Sequence, residues 1–241
     1  MAPHEQPVGP LLDVRGLSCG YGKKHVVFGI DLHVGRGEIV SLFGHNGAGK
    51  TTVIKNVLGA YRPTAGSVQY DGADVTGTSA RSNVHRGMAL IPSERFVFGD
   101  LSVYDNLLLG AANLADDDER DRRLRQVYDL FPILLERSKQ LAGTMSGGQQ
   151  RMVSLGLALM TNPRLLLLDE PSLGLAPAVV QQIFSAVRDL AADGLSVLLL
   201  EQNVGQALRI SDRAYVMRNG RIILEEDAET MRHRESYWDL F

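Results

Sequence analysis

The sequence predicts an α/β fold with a mostly parallel sheet, an N-terminal antiparallel β-subdomain and an inserted α-helical subdomain. Short strand-like segments alternate with helical ones in the first 92 residues and again after residue 160. Between about residues 101 and 160 the apolar residues recur at helical spacing instead. With 241 residues, 44% of them hydrophobic, the chain has enough apolar material for one sizeable core.

The strands are predicted from short apolar runs bounded by glycine, proline or polar residues. They cover residues 11–18, 25–34, 38–43, 67–70, 88–91, 165–168, 197–200 and 214–217. A turn is expected at residues 19–22, and Asn219-Gly220 predicts the turn of a final hairpin. A helix is expected at about residues 49–58, directly after the third strand.

In the helical stretch, four apolar residues are expected on one helix face: Leu124, Val127, Tyr128 and Phe131. The acidic run at residues 116–119 could be taken for a metal-binding cluster. A helix N-terminus is the favoured explanation, because the helix dipole stabilises negative charge there.

Composition restricts the classes of function. The net charge of −3 gives no overall field that would attract nucleic acid. Cys19 is the only cysteine, which excludes an internal disulfide framework and a cysteine-based metal cluster. The longest apolar runs are too short to span a bilayer, and the first residues do not resemble a signal peptide. We therefore expect a cytoplasmic protein that reaches a membrane only through partner subunits.

A phosphate-binding loop is predicted at residues 44–51, which fit the pattern G-x-x-x-x-G-K-[ST] between a buried strand and a helix. Glycines let backbone amides surround a phosphate chain, and the helix adds its positive end. Lys50 is expected to reach the β- and γ-phosphates, and the Thr51 hydroxyl to ligate Mg²⁺. The expected ATP-binding residues of this segment are Gly44, His45, Asn46, Gly47, Ala48, Gly49, Lys50, Thr51 and Thr52.

A second part of the site is predicted where the apolar run at residues 165–168 ends in Asp169 and Glu170. Ligands of open α/β sheets bind at the carboxyl ends of the strands. Asp169 is expected to hold Mg²⁺, directly or through water, and Glu170 to polarise the attacking water.

A third motif selects the class, since phosphate-binding loops also occur in kinases, GTPases and helicases. Residues 144–150 read Thr-Met-Ser-Gly-Gly-Gln-Gln and precede an apolar helix that runs to about Met160. Ser146 is suited to cap that helix, and the glycines leave its amide end exposed. The segment predicts a second anion-binding site, formed by Ser146, Gly147, Gly148 and Gln149.

With these motifs the sequence resembles the ATP-binding-cassette (ABC) family, whose signature reads S-G-G-Q. The resemblance covers nearly the whole chain and implies a single nucleotide-binding domain over residues 1–241. Residues 11–92 and 161–241 would form the P-loop NTPase core that binds ATP, and residues 93–160 the helical subdomain with the signature. In the family the signature contacts the γ-phosphate of ATP held by a partner cassette, so that two chains pack head to tail. Tyr21 lies where the family places an aromatic residue against adenine, although a buried core tyrosine is equally compatible.

Three segments narrow the resemblance to ATPase subunits of importers for branched-chain amino acids or for related amides and urea. They are residues 141–148, 166–177 and 200–203. The implied function is ATP hydrolysis that drives import, with ATP and Mg²⁺ as cofactors. The implied partners are a second cassette (the same or a homologous chain), membrane-spanning permease subunits near residues 93–106 and, indirectly, a solute-binding protein. An ABC exporter motor and a soluble ABC ATPase outside transport remain the alternatives.

Three positions depart from the common family pattern. Ser93 stands where most relatives have a glutamine that touches Mg²⁺, and its hydroxyl is the candidate replacement. Gln202 stands at the position of the family's switch histidine, where it can bond the γ-phosphate or orient water but cannot carry a proton. Ala176 lies near a bridging aspartate of many relatives. A weakly active cassette would be one explanation, but an active one is favoured because the phosphate loop, both carboxylates and the signature are complete.

Overall fold

Two sheets and nine helices make up the described part of the protein in a computed structural model, which covers residues 9–21, 24–94, 97–112, 114 and 116–234. The strands are β1 Leu12–Tyr21, β2 Lys24–Val34, β3 Ile39–Phe43, β4 Ala65–Tyr70, β5 Ala73–Asp74, β6 Met88–Ile91, β7 Leu165–Asp169, β8 Ser196–Glu201, β9 Arg213–Arg218 and β10 Arg221–Asp227. The helices are α1 Lys50–Leu58, α2 Ala80–His85, α3 Val103–Gly110, α4 Asp117–Leu130, α5 Pro132–Glu136, α6 Gly147–Met160, α7 Pro177–Ala192, α8 Val204–Ala207 and α9 Ala228–Arg232.

The larger sheet has six strands in the order β10-β9-β3-β8-β7-β6. Its five strands from β9 to β6 are parallel, and β10 pairs antiparallel with β9 at the edge. Strands β3, β7 and β8 are buried along their whole length, as parallel strands covered on both faces should be. The smaller sheet, in the order β2-β1-β4-β5, is antiparallel. The predicted α/β class with a mostly parallel sheet and an N-terminal antiparallel sheet is confirmed.

Helices α3 to α6 lie between β6 and β7 in the chain, where the sequence predicts the helical insertion. They share one buried apolar cluster with residues of the parallel sheet. Val127 and Phe131 are buried in this cluster, and Leu124 and Tyr128 pack against it, so the predicted helix face is confirmed. The limits of a helical subdomain at residues 93 and 160 remain a prediction.

Two local predictions about the ends of elements are also confirmed. Asp116 caps α4, since its side chain accepts a hydrogen bond from the Asp118 amide at 3.0 Å, so the acidic run does mark a helix N-terminus. Asn219 (φ 50°) and Gly220 (φ 77°) form the turn of the β9–β10 hairpin, whose residues need positive φ.

The turn predicted at residues 19–22 is wrong. β1 continues to Tyr21, and Cys19 and Gly20 pair with Val27 and His25 of β2. A Cβ atom on Gly20 would lie 2.0 Å from the Lys24 carbonyl oxygen, so the glycine allows a close approach of two strands instead of a turn. Gly22 lies outside the described residues.

No helix in the described ranges is both long enough and apolar enough to cross a lipid bilayer.

Candidate active site

The loop predicted to bind phosphate lies between β3 and α1, which is the predicted strand–loop–helix position. Gly47 and Gly49 have φ angles of 82° and 109°, in the left-handed region that favours glycine. A Cβ atom on Gly44 would lie 2.5 Å from the Met217 carbonyl oxygen, so only glycine fits where the loop crosses β9. Gly49 is the N-cap of α1 and provides no side-chain hydrogen bond to its first turn. The amide end of α1 can therefore bind an anion.

Lys50 folds back over this loop. Its side chain is 4% exposed, and Nζ lies 2.6 Å from the Gly44 carbonyl oxygen and 3.3 Å from that of His45. Nζ also lies 3.4 Å from Oε1 of Glu170. The ammonium group is therefore surrounded by protein oxygen atoms, and phosphate oxygens of a bound nucleotide could take over these contacts.

Thr51 and Asp169 meet at the carboxyl end of β7. The Thr51 hydroxyl donates to the Asp169 carboxylate, at 3.0 Å from Oδ2 and 3.3 Å from Oδ1. Burial raises the pKa of Asp169, while the Thr51 hydrogen bond opposes that rise. A hydroxyl and a carboxylate oxygen are ligands suited to Mg²⁺.

The rest of a magnesium shell would have to come from phosphate oxygens and water. Within the described ranges, no group of three or more histidine, cysteine, aspartate or glutamate side chains is placed to hold a metal ion. In nucleotide sites Mg²⁺ is usually bound by one or two protein side chains together with phosphate oxygens of the substrate and water.

Glu170 has a left-handed backbone with φ of 47°. Successive residues of a strand point to opposite faces, so a regular continuation of β7 would direct Glu170 away from Asp169. The left-handed turn returns the Glu170 carboxylate to the cleft, where it lies near Lys50. Such a conformation costs about 1–2 kcal/mol for a residue other than glycine. The amide of Glu170 is held by a 2.9 Å hydrogen bond to the Leu200 carbonyl oxygen.

Gln202 follows β8 and joins two parts of the site. Its Nε2 donates to Oε1 of Glu170 at 2.7 Å and to Oδ1 of Asn46 at 2.7 Å. The side chain thus links the loop at residues 44–51 with the turn after β7. The link to Asn46 was not predicted, because three separate strand ends have to meet before it can form.

Tyr21 contacts the phosphate-loop helix and a second aromatic ring. Its hydroxyl lies 3.0 Å from the Thr52 hydroxyl, and its ring centre lies 5.2 Å from that of Tyr61 at an interplanar angle of 82°. The two residues are 43% and 39% exposed. Together they form an aromatic corner that a flat base could contact. Nothing in the sequence around Tyr61 indicates this contact, since 40 residues separate the two tyrosines.

Ser146 caps α6, which confirms the predicted N-cap. Its hydroxyl accepts from the Gln149 amide at 3.3 Å, and its own amide donates to Oε1 of Gln149 at 3.1 Å, forming a capping box. A Cβ atom on Gly148 would lie 2.7 Å from a methyl group of Val179 on α7, so glycine is needed for this packing.

Ser93 is held mainly through its backbone. The Arg151 guanidinium, on α6, donates to the carbonyl oxygens of Pro92 and Ser93, each at 2.5 Å. Ser93 and Arg151 line a cavity of about 300 Å³ together with Gly147. The role of Ser93 as a metal ligand stays a prediction. Ala176 is the N-cap of α7 and supplies no side-chain hydrogen bond there.

The strand–loop–helix geometry, the buried lysine and the Thr51–Asp169 pair define a P-loop nucleotide-binding protein. The family model described as ABC transporter matches residues 27–173 of the chain. Over 216 residues the chain is 44% identical to the high-affinity branched-chain amino acid transport ATP-binding protein BraG of Pseudomonas aeruginosa. The matched region covers 90% of this chain and 92% of BraG.

Two further likenesses agree with this class. The chain is 35% identical over 215 residues to the lipopolysaccharide export system ATP-binding protein LptB of Escherichia coli K12, with 88% of each chain covered. A solved nucleotide-free ATP-binding cassette from an ABC transporter has a TM-score of 0.84 at 27% identity, covering 93% of this chain and 94% of that one. The chain therefore belongs to the ABC transporter family, as one of its ATP-binding, ATP-hydrolysing subunits.

Proposed function

We propose that this chain hydrolyses ATP to energise an importer of branched-chain amino acids or related small amides. The observation that carries the catalytic part is the convergence of Lys50, Glu170 and Gln202 beside the Thr51–Asp169 pair. The 44% identity to BraG supports the importer part.

The residues of the site divide the chemistry among them. The amides of residues 44–51 and Lys50 hold the phosphate chain, and Thr51 and Asp169 hold Mg²⁺. The metal, when bound, supplies positive charge to the β- and γ-phosphates. Glu170 polarises the attacking water as a general base.

Gln202 orients that water or bonds the γ-phosphate, as its 2.7 Å contact with Glu170 allows. It carries no titratable proton, so its part in the reaction is geometric. Tyr21 supports the adenine ring, and the hydroxyl bond to Thr52 keeps that ring beside the phosphate-loop helix.

The signature serves a nucleotide held by a partner cassette. The capping box uses the Ser146 and Gln149 amides, so the Gly147 and Gly148 amides between them are the ones proposed to contact the phosphate, and this segment has no lysine of its own. A head-to-tail dimer, with the same or a homologous chain as partner, brings it to the γ-phosphate held by the phosphate-loop lysine of the partner. Hydrolysis cleaves the γ-phosphate from ADP, and release of that phosphate removes the anion that joins the two cassettes, so that they separate.

The surface around residues 93–106 is the proposed contact with the membrane-spanning permease. Exposed apolar side chains lie on it or beside it, with Phe98, Tyr104 and Leu141 exposed by 45%, 39% and 49%. An isolated bridge between Ser102 and Leu141 joins these segments. The protein would act at the cytoplasmic face of the membrane through these partners, and a solute-binding protein would contact it only indirectly.

Export is the second candidate, because the chain is also 35% identical to LptB. The deciding experiment measures uptake of labelled leucine, isoleucine, valine, urea and short amides in a strain that lacks this chain. Import of one of these solutes should be lost, then restored by the wild-type chain but not by Glu170→Gln. Unchanged uptake of all of them, together with a defect in the outer envelope, would support the export function instead.

A further inference from the structure

Glu201, the last residue of β8, is a charged side chain buried where two segments of the site meet. It is 2% exposed. Oε1 accepts a hydrogen bond from the Ser172 amide at 2.9 Å, and Oε2 accepts one from the Gln202 amide at 3.2 Å. The Asn203 amide also bonds to this carboxylate. Each oxygen of Glu201 therefore serves a different segment of the chain.

The chemistry of these neighbours requires a carboxylate. Burial raises the pKa of Glu201, while hydrogen bonds from the Ser172 side chain and from the Ser172, Gln202 and Asn203 amides oppose that rise by stabilising the charged form. A carboxylate accepts on both oxygens, whereas a glutamine has one accepting oxygen and one donating NH₂ group. A glutamine at position 201 could bond one segment but would direct donors at the amide of the other. The hydrogen bonds to the Ser172 and Gln202 amides therefore both form only when residue 201 carries a carboxylate.

The two segments joined in this way are the ones that place Glu170 and Gln202. The turn after Glu170 is closed by the Leu173 amide, which donates to the Glu170 carbonyl oxygen at 3.1 Å. Ser172 lies inside this turn. Glu170 has a left-handed backbone, so its conformation depends on contacts on both sides. The Leu200 carbonyl oxygen holds its amide, and Glu201 holds the turn that follows.

We propose that Glu201 is a positioning residue that fixes the turn after Glu170 against the backbone of Gln202. By holding the Gln202 backbone, Glu201 keeps the side-chain Nε2 of Gln202 at 2.7 Å from Oε1 of Glu170. The inference rests on the proposed roles of Glu170 and Gln202 in hydrolysis. It adds that their relative position is set by a third acidic residue that contacts neither the nucleotide nor the water.

The test variant is Glu201→Gln, which keeps the size of the side chain and removes one acceptor. A misplaced catalytic group lowers the rate by up to about 100-fold, so we expect kcat to fall by about tenfold or more. The KM for ATP should stay within about twofold, because Lys50 keeps its bonds to the Gly44 and His45 carbonyl oxygens and the loop loses at most the Asn46 contact with Gln202. Hydrogen exchange of the Ser172 and Gln202 amides, measured without nucleotide, should become faster.

Two controls separate positioning from a general loss of stability. Ser41→Ala removes the buried 2.6 Å hydrogen bond between Ser41, on β3 of the same sheet, and Ser211, so it should lower stability without changing kcat or the exchange of the Ser172 amide. Because both changes act on the placement of Gln202 relative to Glu170, the double variant Glu201→Gln/Gln202→Ala should lose less activity than the product of the two single losses. Should Glu201→Gln not fold, Glu201→Asp replaces it, because a shorter carboxylate keeps both acceptors but cannot reach both amides.

The outcomes distinguish this inference from the function on which it rests. A normal kcat and unchanged amide exchange in Glu201→Gln would overturn the positioning role. A normal kcat in Gln202→Ala would instead overturn the proposed role of Gln202. In that case faster exchange of the Ser172 and Gln202 amides in Glu201→Gln would still show that Glu201 joins the two segments.

Discussion

Replacing Glu170 by glutamine removes the proposed general base while leaving the site nearly unchanged in shape. The new amide oxygen can still accept the Gln202 Nε2 hydrogen bond, which spans 2.7 Å in the wild type. Lys50 loses the carboxylate at 3.4 Å but keeps the carbonyl oxygens of Gly44 and His45. ATP binding should therefore persist, because the groups that hold the phosphate chain are intact.

The rate of hydrolysis should fall steeply in this variant. Loss of a general base lowers a rate by about 10²–10⁴-fold, which corresponds to about 2.7–5.4 kcal/mol in activation free energy. Because ATP still binds, the KM should change by no more than about threefold, so nearly all of the loss belongs to kcat. Bound ATP should accumulate on the protein.

The assay combines phosphate release at saturating ATP with the amount of ATP retained after rapid gel filtration. Glu136→Gln is the matched control, because Glu136 is exposed on α5 and the substitution removes the same charge. Hydrolysis by Glu170→Gln within about threefold of the wild-type rate, with ATP bound normally, would refute the assignment of Glu170.

Three further predictions concern other residues. Gln202→His should introduce a step in the pH–rate profile near a pKa of about 6.5, and a wild-type step that disappears in Gln202→Ala would contradict a role without proton transfer. Tyr21→Ala should raise the KM for ATP by about tenfold through lost stacking, whereas Tyr21→Phe, which loses only one hydroxyl contact, should stay within about threefold in the same assay. Hydrogen bonds from Arg164 and Arg36 lower the pKa of Asp71 to about 2, so its contribution to stability is present above about pH 4 and is lost as the pH falls towards 2. Asp71→Asn should lower the free energy of unfolding by about 1 kcal/mol at pH 7, a value reduced for solvent screening, and a deficit in urea melts that stays the same at pH 3 would contradict this explanation.

The parts of the fold and site that follow local rules could be predicted from the sequence. The glycine pattern before Lys50 predicts the loop, because few other residues allow a left-handed backbone there. Ser146 directly before two glycines and an apolar helix predicts the N-cap of α6. Both patterns depend only on residues close in sequence, so they can be recognised without knowing how the rest of the chain folds.

The parts that depend on distant residues could not be predicted. The glycine at position 20 suggests a turn, yet it is required for the approach of β2 to β1. The left-handed backbone of Glu170, the contact of Gln202 with Asn46 and the burial of Glu201 exist only after β3, β7 and β8 are placed side by side. No regular sequence spacing predicts such contacts, because they join residues from separate strands.

The central feature of the proposed mechanism is one nucleotide held by two cassettes at once. The direct measurement is a structure of the Glu170→Gln variant with ATP and Mg²⁺, in the assembly with its partner cassette and permease. We predict the Ser146 hydroxyl within about 3 Å of a γ-phosphate that a lysine of the other cassette also contacts. A triphosphate that contacts residues of a single chain, with the signature segment turned away from it in every assembly, would contradict this mechanism.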